Sequence, residues 1–129
     1  MTLASIGKEK GLVGNTVDGP PAAIDVEAIS SRTDSVLTMR MDSSTRADID
    51  GVTPAIVQQL NSLLGEDLGA EDDPQVRELV RTGNNLIDPK NRPTENTPAF
   101  GAFIHLRDVA TLTRRLLWIY TERNGLGAP

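Results

Sequence analysis

Four arginines in the last quarter of the chain are the residues whose type and spacing suggest the most chemistry. They are Arg107, Arg114, Arg115 and Arg123. The planar guanidinium group of an arginine side chain donates paired hydrogen bonds that match carboxylate and phosphate oxygens. If this segment is helical, Arg107, Arg114 and Arg115 share one sector of the helix, opposite most of its apolar residues. The set therefore predicts contact with an acidic protein surface or with RNA, and the alternative is an ordinary solvated helix face.

Two aromatic residues lie among these arginines. On a helix, Trp118 projects away from most of the apolar stripe and lies near Arg114 and Arg115, and Tyr120 follows two residues later. Trp and Arg side chains dominate the energetically important contacts of protein interfaces. We therefore expect Trp118 and Tyr120 to be the apolar anchors of a partner interface, either in a homodimer or with another protein of a larger assembly. The alternative is that Trp118 belongs to the core.

An acidic segment lies between two of the predicted helices. Residues 66–73 contain no basic residue and five acidic ones, namely Glu66, Asp67, Glu71, Asp72 and Asp73. Carboxylates of this kind could gather Mg²⁺ for phosphoryl transfer, but consecutive carboxylates on a short loop point in different directions. We expect a solvated connector that forms an acidic surface, complementary to the arginines of a second copy or available to a second partner.

The other candidates for catalysis or metal binding are incomplete. His105 is the single histidine, and a lone imidazole provides neither a two-histidine metal site nor a nucleophile–base pair. Asp48 and Asp50 lack the remaining ligands of an EF-hand loop. The Gly-rich segment 7–16 lacks the Gly-Lys-Ser/Thr ending of a phosphate-binding loop. The sequence therefore predicts no catalytic residue, no metal and no cofactor.

Composition limits the class of protein. A chain of 129 residues with net charge −5 fits one domain and opposes broad electrostatic attraction to nucleic acid or to anionic membranes. The absence of cysteine favours a reducing compartment, such as the cytoplasm. No apolar run is long enough to span a bilayer. We expect one soluble domain over 1–129, with a Gly- and Pro-rich, loop-like arm at 1–21.

Apolar periodicity predicts the elements that position these groups. Alternation of apolar and polar residues predicts short strands at 22–29, where a helical turn is the alternative, and at 35–42. Segment 99–106 fits a strand or a helix, and 84–98, with three prolines, is predicted to be loop. The resulting fold class is α/β, a small single domain in which a short sheet packs with about three helices.

The three predicted helices lie near 53–64, 74–82 and 108–123. Thr53 and Asp73 each precede a proline at the first helical position, which is the preferred order of cap and proline. Gly65 is predicted to end the first helix in a left-handed conformation, Gly83 to stop the second, and Asn124 with Gly125 to end the third.

The predicted order of elements, together with Trp118 on the final helix, resembles that of BRCT-type protein-interaction domains. The overall size, the opening Met1, Thr2 and Leu3, and the ending from Gly125 to Pro129 resemble the small accessory protein of the cystovirus polymerase complex. That protein is an assembly cofactor for the inner capsid of double-stranded RNA phages. The resemblance implies a non-enzymatic protein that contacts capsid, polymerase and RNA, and it implies a location inside a virion. The expected function is an interaction and assembly module, and the alternative is an RNA-binding accessory domain that uses the arginine helix.

Overall fold

The computed structural model describes residues 24–126, and every regular element in that range is helical. The main helices are α1 (Val26–Leu37), α2 (Arg46–Leu64), α3 (Pro74–Ile87) and α4 (Ala99–Arg123). Short 3₁₀ turns at Met41–Ser43 and Pro89–Asn91 lie in the connections that follow α1 and α3. The protein is therefore a four-helix arrangement over this range, with α4 as its longest helix.

The predicted α/β class is wrong, since no strand or sheet occurs between residues 24 and 126. The predicted strands at 22–29 and 35–42 correspond to α1 and the residues that flank it. Segment 99–106, which fitted a strand or a helix, is the first part of helix α4. The arm predicted at 1–21 and residues 22 and 23 lie outside the described range. The element order of BRCT-type domains requires a sheet and is not present in the described residues.

Helix α1 forms because its buried residues follow a helical period that includes a threonine. Asp25 caps the helix, and its carboxylate accepts the Ala28 N–H at 3.0 Å. Ile29, Thr33 and Val36 are buried at spacings of four and three residues, which places them on one helix face. Thr33 breaks the apolar pattern in the sequence, although its hydroxyl donates to the Ile29 carbonyl at 3.0 Å inside the helix.

Helix α2 begins seven residues before the predicted start, at a capping box. The Thr45 hydroxyl accepts the Asp48 N–H at 3.0 Å, and the Asp48 carboxylate accepts the Thr45 N–H at 2.9 Å. The predicted start at Thr53 and Pro54 is wrong: the Thr53 hydroxyl donates to the Ile49 carbonyl at 2.7 Å, and Pro54 lies inside the helix. A proline inside a helix costs about 3 kcal/mol, and the buried Ile49 of the preceding turn offsets part of that cost.

Helix α3 starts as predicted and ends later. The start is confirmed, because the Asp73 carboxylate accepts two backbone N–H groups of the first turn. The predicted stop at Gly83 is wrong, since α3 continues to Ile87 and so includes the beginning of the predicted 84–98 loop. A Cβ atom at Gly83 would lie 2.9 Å from Leu64 and 3.2 Å from Leu112. The glycine therefore permits α3 to approach both α2 and α4.

Helix α4 ends at the predicted glycine. Gly125 has φ of 67°, and its N–H donates to the Glu122 carbonyl at 3.3 Å. The Leu126 N–H donates to the Thr121 carbonyl at 2.8 Å. This pair of hydrogen bonds is the Schellman arrangement. The helix extends nine residues further towards the N-terminus than predicted, because Ala102, Phe103 and Leu106 are buried on the same face as the later apolar residues.

The core lies around α4, which packs against all three other helices. The ring Nε2 of His105, near the start of α4, donates to the Leu86 carbonyl at the end of α3 across 2.8 Å, so these two helices run antiparallel. The largest fully buried side chains include Ile49, Ile56, Leu60, Leu63, Leu106, Leu116 and Leu117. One face of α4 is thus buried between its neighbours, and the opposite face remains at the surface.

Candidate protein-docking surface

The surface of α4 opposite the core is formed by residues spaced three or four apart, and we call it the α4 outer face. Its members are all exposed: Phe100, Ile104, Arg107, Thr111, Arg114, Arg115, Trp118 and Glu122. Three of them are large apolar side chains, with exposed fractions of 63% for Phe100, 40% for Ile104 and 52% for Trp118. Single exposed apolar residues are common, but several on one helix face are typical of an interaction surface.

A groove between α3 and α4, which we call the Trp118 groove, is the best-formed concave part of this surface. It has a volume of about 500 Å³. Its apolar lining consists of Val76, Leu79, Trp118 and Ile119, and its polar lining includes Asp73, Arg114, Arg115 and Glu122. Because α3 and α4 run antiparallel, Asp73 and Glu122 lie at one end of the groove. The two arginines lie towards the other end, so the groove has an apolar middle and charges of opposite sign at its two ends.

Three of the four predicted arginines share the α4 outer face. Arg107, Arg114 and Arg115 are all exposed there, and the latter two line the Trp118 groove. Arg114 also lies 3.6 Å from the Asp34 carboxylate of α1, and both side chains are more than half exposed. An exposed pair of this kind contributes little to stability, so Arg114 remains available for a partner's carboxylate or phosphate.

Arg123 is separated from the other arginines and contacts the acidic connector. Its Nε donates to the Asp67 carbonyl oxygen at 3.1 Å, and its Nη2 lies 3.5 Å from the Asp67 carboxylate. A Cβ atom at Gly69 would stand 2.7 Å from the Arg123 guanidinium, so the arginine lies directly over the turn. The structure therefore places Arg123 in an intramolecular contact at the end of α4.

Tyr120 and Trp118 lie on opposite faces of α4. Tyr120 is half-buried and packs against the core, whereas Trp118 is exposed beside the groove. Residues two apart on a helix differ by about 200° in direction, which separates them. The structure thus brings Trp118, Arg114 and Arg115 together and leaves Tyr120 outside the groove.

The predicted acidic surface lies in the connection between α2 and α3. Its members are all exposed: Glu66, Asp67, Glu71, Asp72 and Asp73. The Asp67 carboxylate accepts the Gly69 N–H at 3.1 Å, and Asp73 caps α3. Within residues 24–126, no group of three or more histidine, aspartate or glutamate side chains lies close enough to hold a metal ion. The connector thus performs turn and capping roles, and its remaining carboxylates face solvent.

The other candidate residues have structural contacts. His105 joins α4 to a carbonyl at the end of α3. Asp48 closes the capping box of α2, and Asp50 accepts a hydrogen bond from Arg46 at 2.9 Å one turn away, so both acids belong to the first turns of α2. The Gly-rich segment 7–16 lies outside the described residues.

Two parts of the surface were not predicted from the sequence. Phe100 and Ile104 extend the α4 outer face towards its N-terminal end, and Val76 and Leu79 form the α3 wall of the groove. Extending the helical spacing from Trp118 back to Phe100 would have found the first pair. No sequence signal identifies the second pair, since it depends on how α3 packs against α4.

None of the helices within the described range has the length and apolar character needed to cross a bilayer.

Comparisons with protein-family models, with characterised proteins and with solved structures found no match to this chain.

Proposed function

We propose that the protein is a non-enzymatic interaction module that docks a partner protein in the Trp118 groove. The observation that carries the proposal is the position of Trp118, which is 52% exposed, beside an apolar groove, and flanked by two arginines. Tryptophan and arginine are the residue types most enriched at the centres of protein interfaces. The buried core is built from aliphatic residues and Phe103 and does not depend on Trp118.

The shape and charge of the groove define the chemistry of the partner. Val76, Leu79 and Ile119 form an apolar floor that suits a large apolar side chain. Arg114 and Arg115 favour a carboxylate beside that side chain, since guanidinium groups pair with carboxylates in a bidentate manner. The partner segment is therefore an apolar anchor with an acidic neighbour. The resemblance to a cystovirus accessory protein supports a partner that belongs to a larger assembly, such as a capsid or a polymerase complex, in the cytoplasm or inside a virion.

Peptide display on the full chain tests the proposal and requires no identified partner. Peptides selected on the wild-type protein should contain a large apolar residue next to an acidic one. They should bind Trp118→Ala at least about 30-fold more weakly, the loss typical of an interface hot spot. Phe100→Ala is the matched control, because it removes another exposed aromatic residue of α4 outside the groove. Selected peptides that bind all three proteins equally would refute the proposal.

RNA binding is the second candidate function. It is favoured by Arg114 and Arg115 beside the exposed Trp118, with Arg107 further along the same outer face. Single-stranded nucleic acids stack on aromatic side chains and pair their phosphates with basic groups. Trp118 is the only tryptophan, so its fluorescence reports binding at this site directly. Single-stranded RNA should then bind at low salt and weaken steeply as salt rises. No change in fluorescence at low salt would refute this candidate.

A further inference from the structure

We infer that the Trp118 groove accepts a second copy of this chain, in a symmetric dimer whose two-fold axis passes beside Trp118. The inference rests on the proposed function, because it assigns an occupant to the same groove. It is carried by the placement of two charges of opposite sign at equal distances on either side of Trp118.

Arg114, Trp118 and Glu122 form one row of exposed residues at four-residue spacing along α4. Each step of the row advances about 6 Å along the helix axis. Arg114 therefore lies about 6 Å before Trp118, and Glu122 lies about 6 Å after it. All three side chains line the groove, so an occupant that contacts Trp118 also meets both charges.

A two-fold axis turns this row into two complementary contacts. In a symmetric dimer, a residue i that contacts residue j of the other copy is matched by residue j contacting residue i. Helices commonly pack with their four-residue rows side by side, at a crossing angle of about 50°. With the axis beside Trp118, the two rows run in opposite directions. Arg114 of each copy then faces Glu122 of the other copy, and the two Trp118 side chains meet in the middle.

The neighbouring row of the outer face does not have this property. Arg107, Thr111 and Arg115 also lie at four-residue spacing and are exposed. A two-fold axis beside Thr111 would place Arg107 of one copy against Arg115 of the other, and like charges across an interface repel. Charge complementarity therefore selects the row through Trp118.

The two remaining charged residues that line the groove follow the same order of charge. Asp73 lies at the end of the groove that contains Glu122, and Arg115 lies towards the end that contains Arg114. The two-fold operation brings the acidic end of each copy against the basic end of the other. The charged lining of the groove thus follows one self-complementary order of acid, apolar middle and base, to which α3 contributes the acid Asp73 and α4 contributes both arginines.

Charge reversal at the two ends of the row tests the dimer. Arg114→Glu places glutamate against glutamate, and Glu122→Arg places arginine against arginine. Each variant alone should raise the dimer Kd at least about tenfold, measured by sedimentation over the micromolar range. Mixing the two variants should restore assembly as a heterodimer, because both contacts are then of opposite charge. Arg107→Glu is the control for the change of charge and should leave the Kd unchanged.

Several results would overturn the inference. A wild-type protein that remains monomeric over this range would do so, as would a dimer that tolerates both reversals. The inference is also refuted if each variant alone loses assembly and the two variants fail to pair when mixed. Recovery of assembly on mixing shows that misfolding does not cause the loss seen with each variant alone. Peptides that require Trp118 but bind a strictly monomeric protein would retain the proposed function and refute the dimer alone.

Discussion

Gly83 of α3 lies so close to Leu112 of α4 that a Cβ atom at position 83 would stand 3.2 Å from the Leu112 Cδ2 atom and 2.9 Å from Leu64 Cδ2. We expect Gly83→Ala to lower the free energy of unfolding by about 1 kcal/mol, since the overpacking of two buried contacts costs about 1–3 kcal/mol. That cost outweighs the roughly 1 kcal/mol that alanine gains over glycine in a helix. Urea denaturation measures the difference.

Gly51→Ala is the matched control for this prediction. Gly51 is exposed within α2, and a Cβ atom there would meet nothing within 4 Å. The substitution should raise the free energy of unfolding by about 0.5–1 kcal/mol. If both alanine variants were stabilised equally, the close approach of α3 to α2 and α4 would be incorrect.

The buried hydroxyl of Thr113 offers a second test of the packing around α4. Thr113 is fully buried, and its hydroxyl donates to the Val109 carbonyl at 2.7 Å. Thr113→Val keeps the shape of the side chain and removes a polar group whose partner is already bonded within the helix. Its stability should therefore be within about 0.5 kcal/mol of the wild type. Thr113→Ser deletes a buried methyl group and should cost about 1 kcal/mol. A serine variant more stable than the valine variant would contradict this account.

The pH dependence of stability should include a contribution from the capping box of α2. The Thr45 backbone N–H and side chain hold the pKa of Asp48 below its ordinary value of 3.8. A carboxyl group with a lowered pKa in the folded state stabilises the protein above its unfolded pKa, and that contribution is lost as pH falls through the folded value. Asp48→Asn should therefore show a smaller fall in Tm between about pH 6 and about pH 2 than the wild type does. An identical fall in the Tm of both proteins would show that Asp48 does not contribute to the pH dependence of stability.

Trp118 should contribute little to folding, in contrast to its neighbour Leu116. Trp118 is 52% exposed, whereas Leu116 is completely buried. We expect Trp118→Ala to lower the free energy of unfolding by about 1 kcal/mol and Leu116→Ala to lower it by about 2–5 kcal/mol. If the two substitutions lowered the free energy of unfolding equally in thermal or urea denaturation, Trp118 would belong to the core and not to the docking surface.

The start of α3 and the end of α4 were predicted correctly from local capping signals, but other signals misled and the packing of the helices was not predictable. Gly65 follows α2 with φ of −83° and not in the predicted left-handed conformation. The start of α3 at Asp73 and the end of α4 at Gly125 follow from residues within one turn of the helix end. The start of α2 was misplaced because Pro54 gave a second start signal, although the capping box of Thr45 and Asp48 forms the actual end.

One buried threonine, Thr33, hid the helical period of α1 and so contributed to the error in fold class. Thr33, Thr113 and Thr121 are all buried, and their hydroxyls donate to carbonyls three or four residues earlier. Counting Thr33 as polar hides the period of Ile29, Thr33 and Val36, and the alternations at 22–29 and 35–42 then predicted strands. Thr113 and Thr121 did not prevent the prediction of a helix over 108–123. The shared surface of Trp118, Arg114 and Arg115 was predictable from helical spacing, whereas the α3 wall of the groove depends on tertiary contacts.

The contact between Arg123 and Asp67 joins the last turn of α4 to the turn that contains Gly69 and the buried Leu68. Fraying of the last turn of α4 breaks this contact, so we expect the connector to open more readily when the end of α4 frays. In native-state amide hydrogen exchange, the two segments should behave as one cooperative unit with a common opening free energy. Replacing Arg123 by alanine would divide that unit, and the connector amides would then exchange faster than those of the α4 terminus.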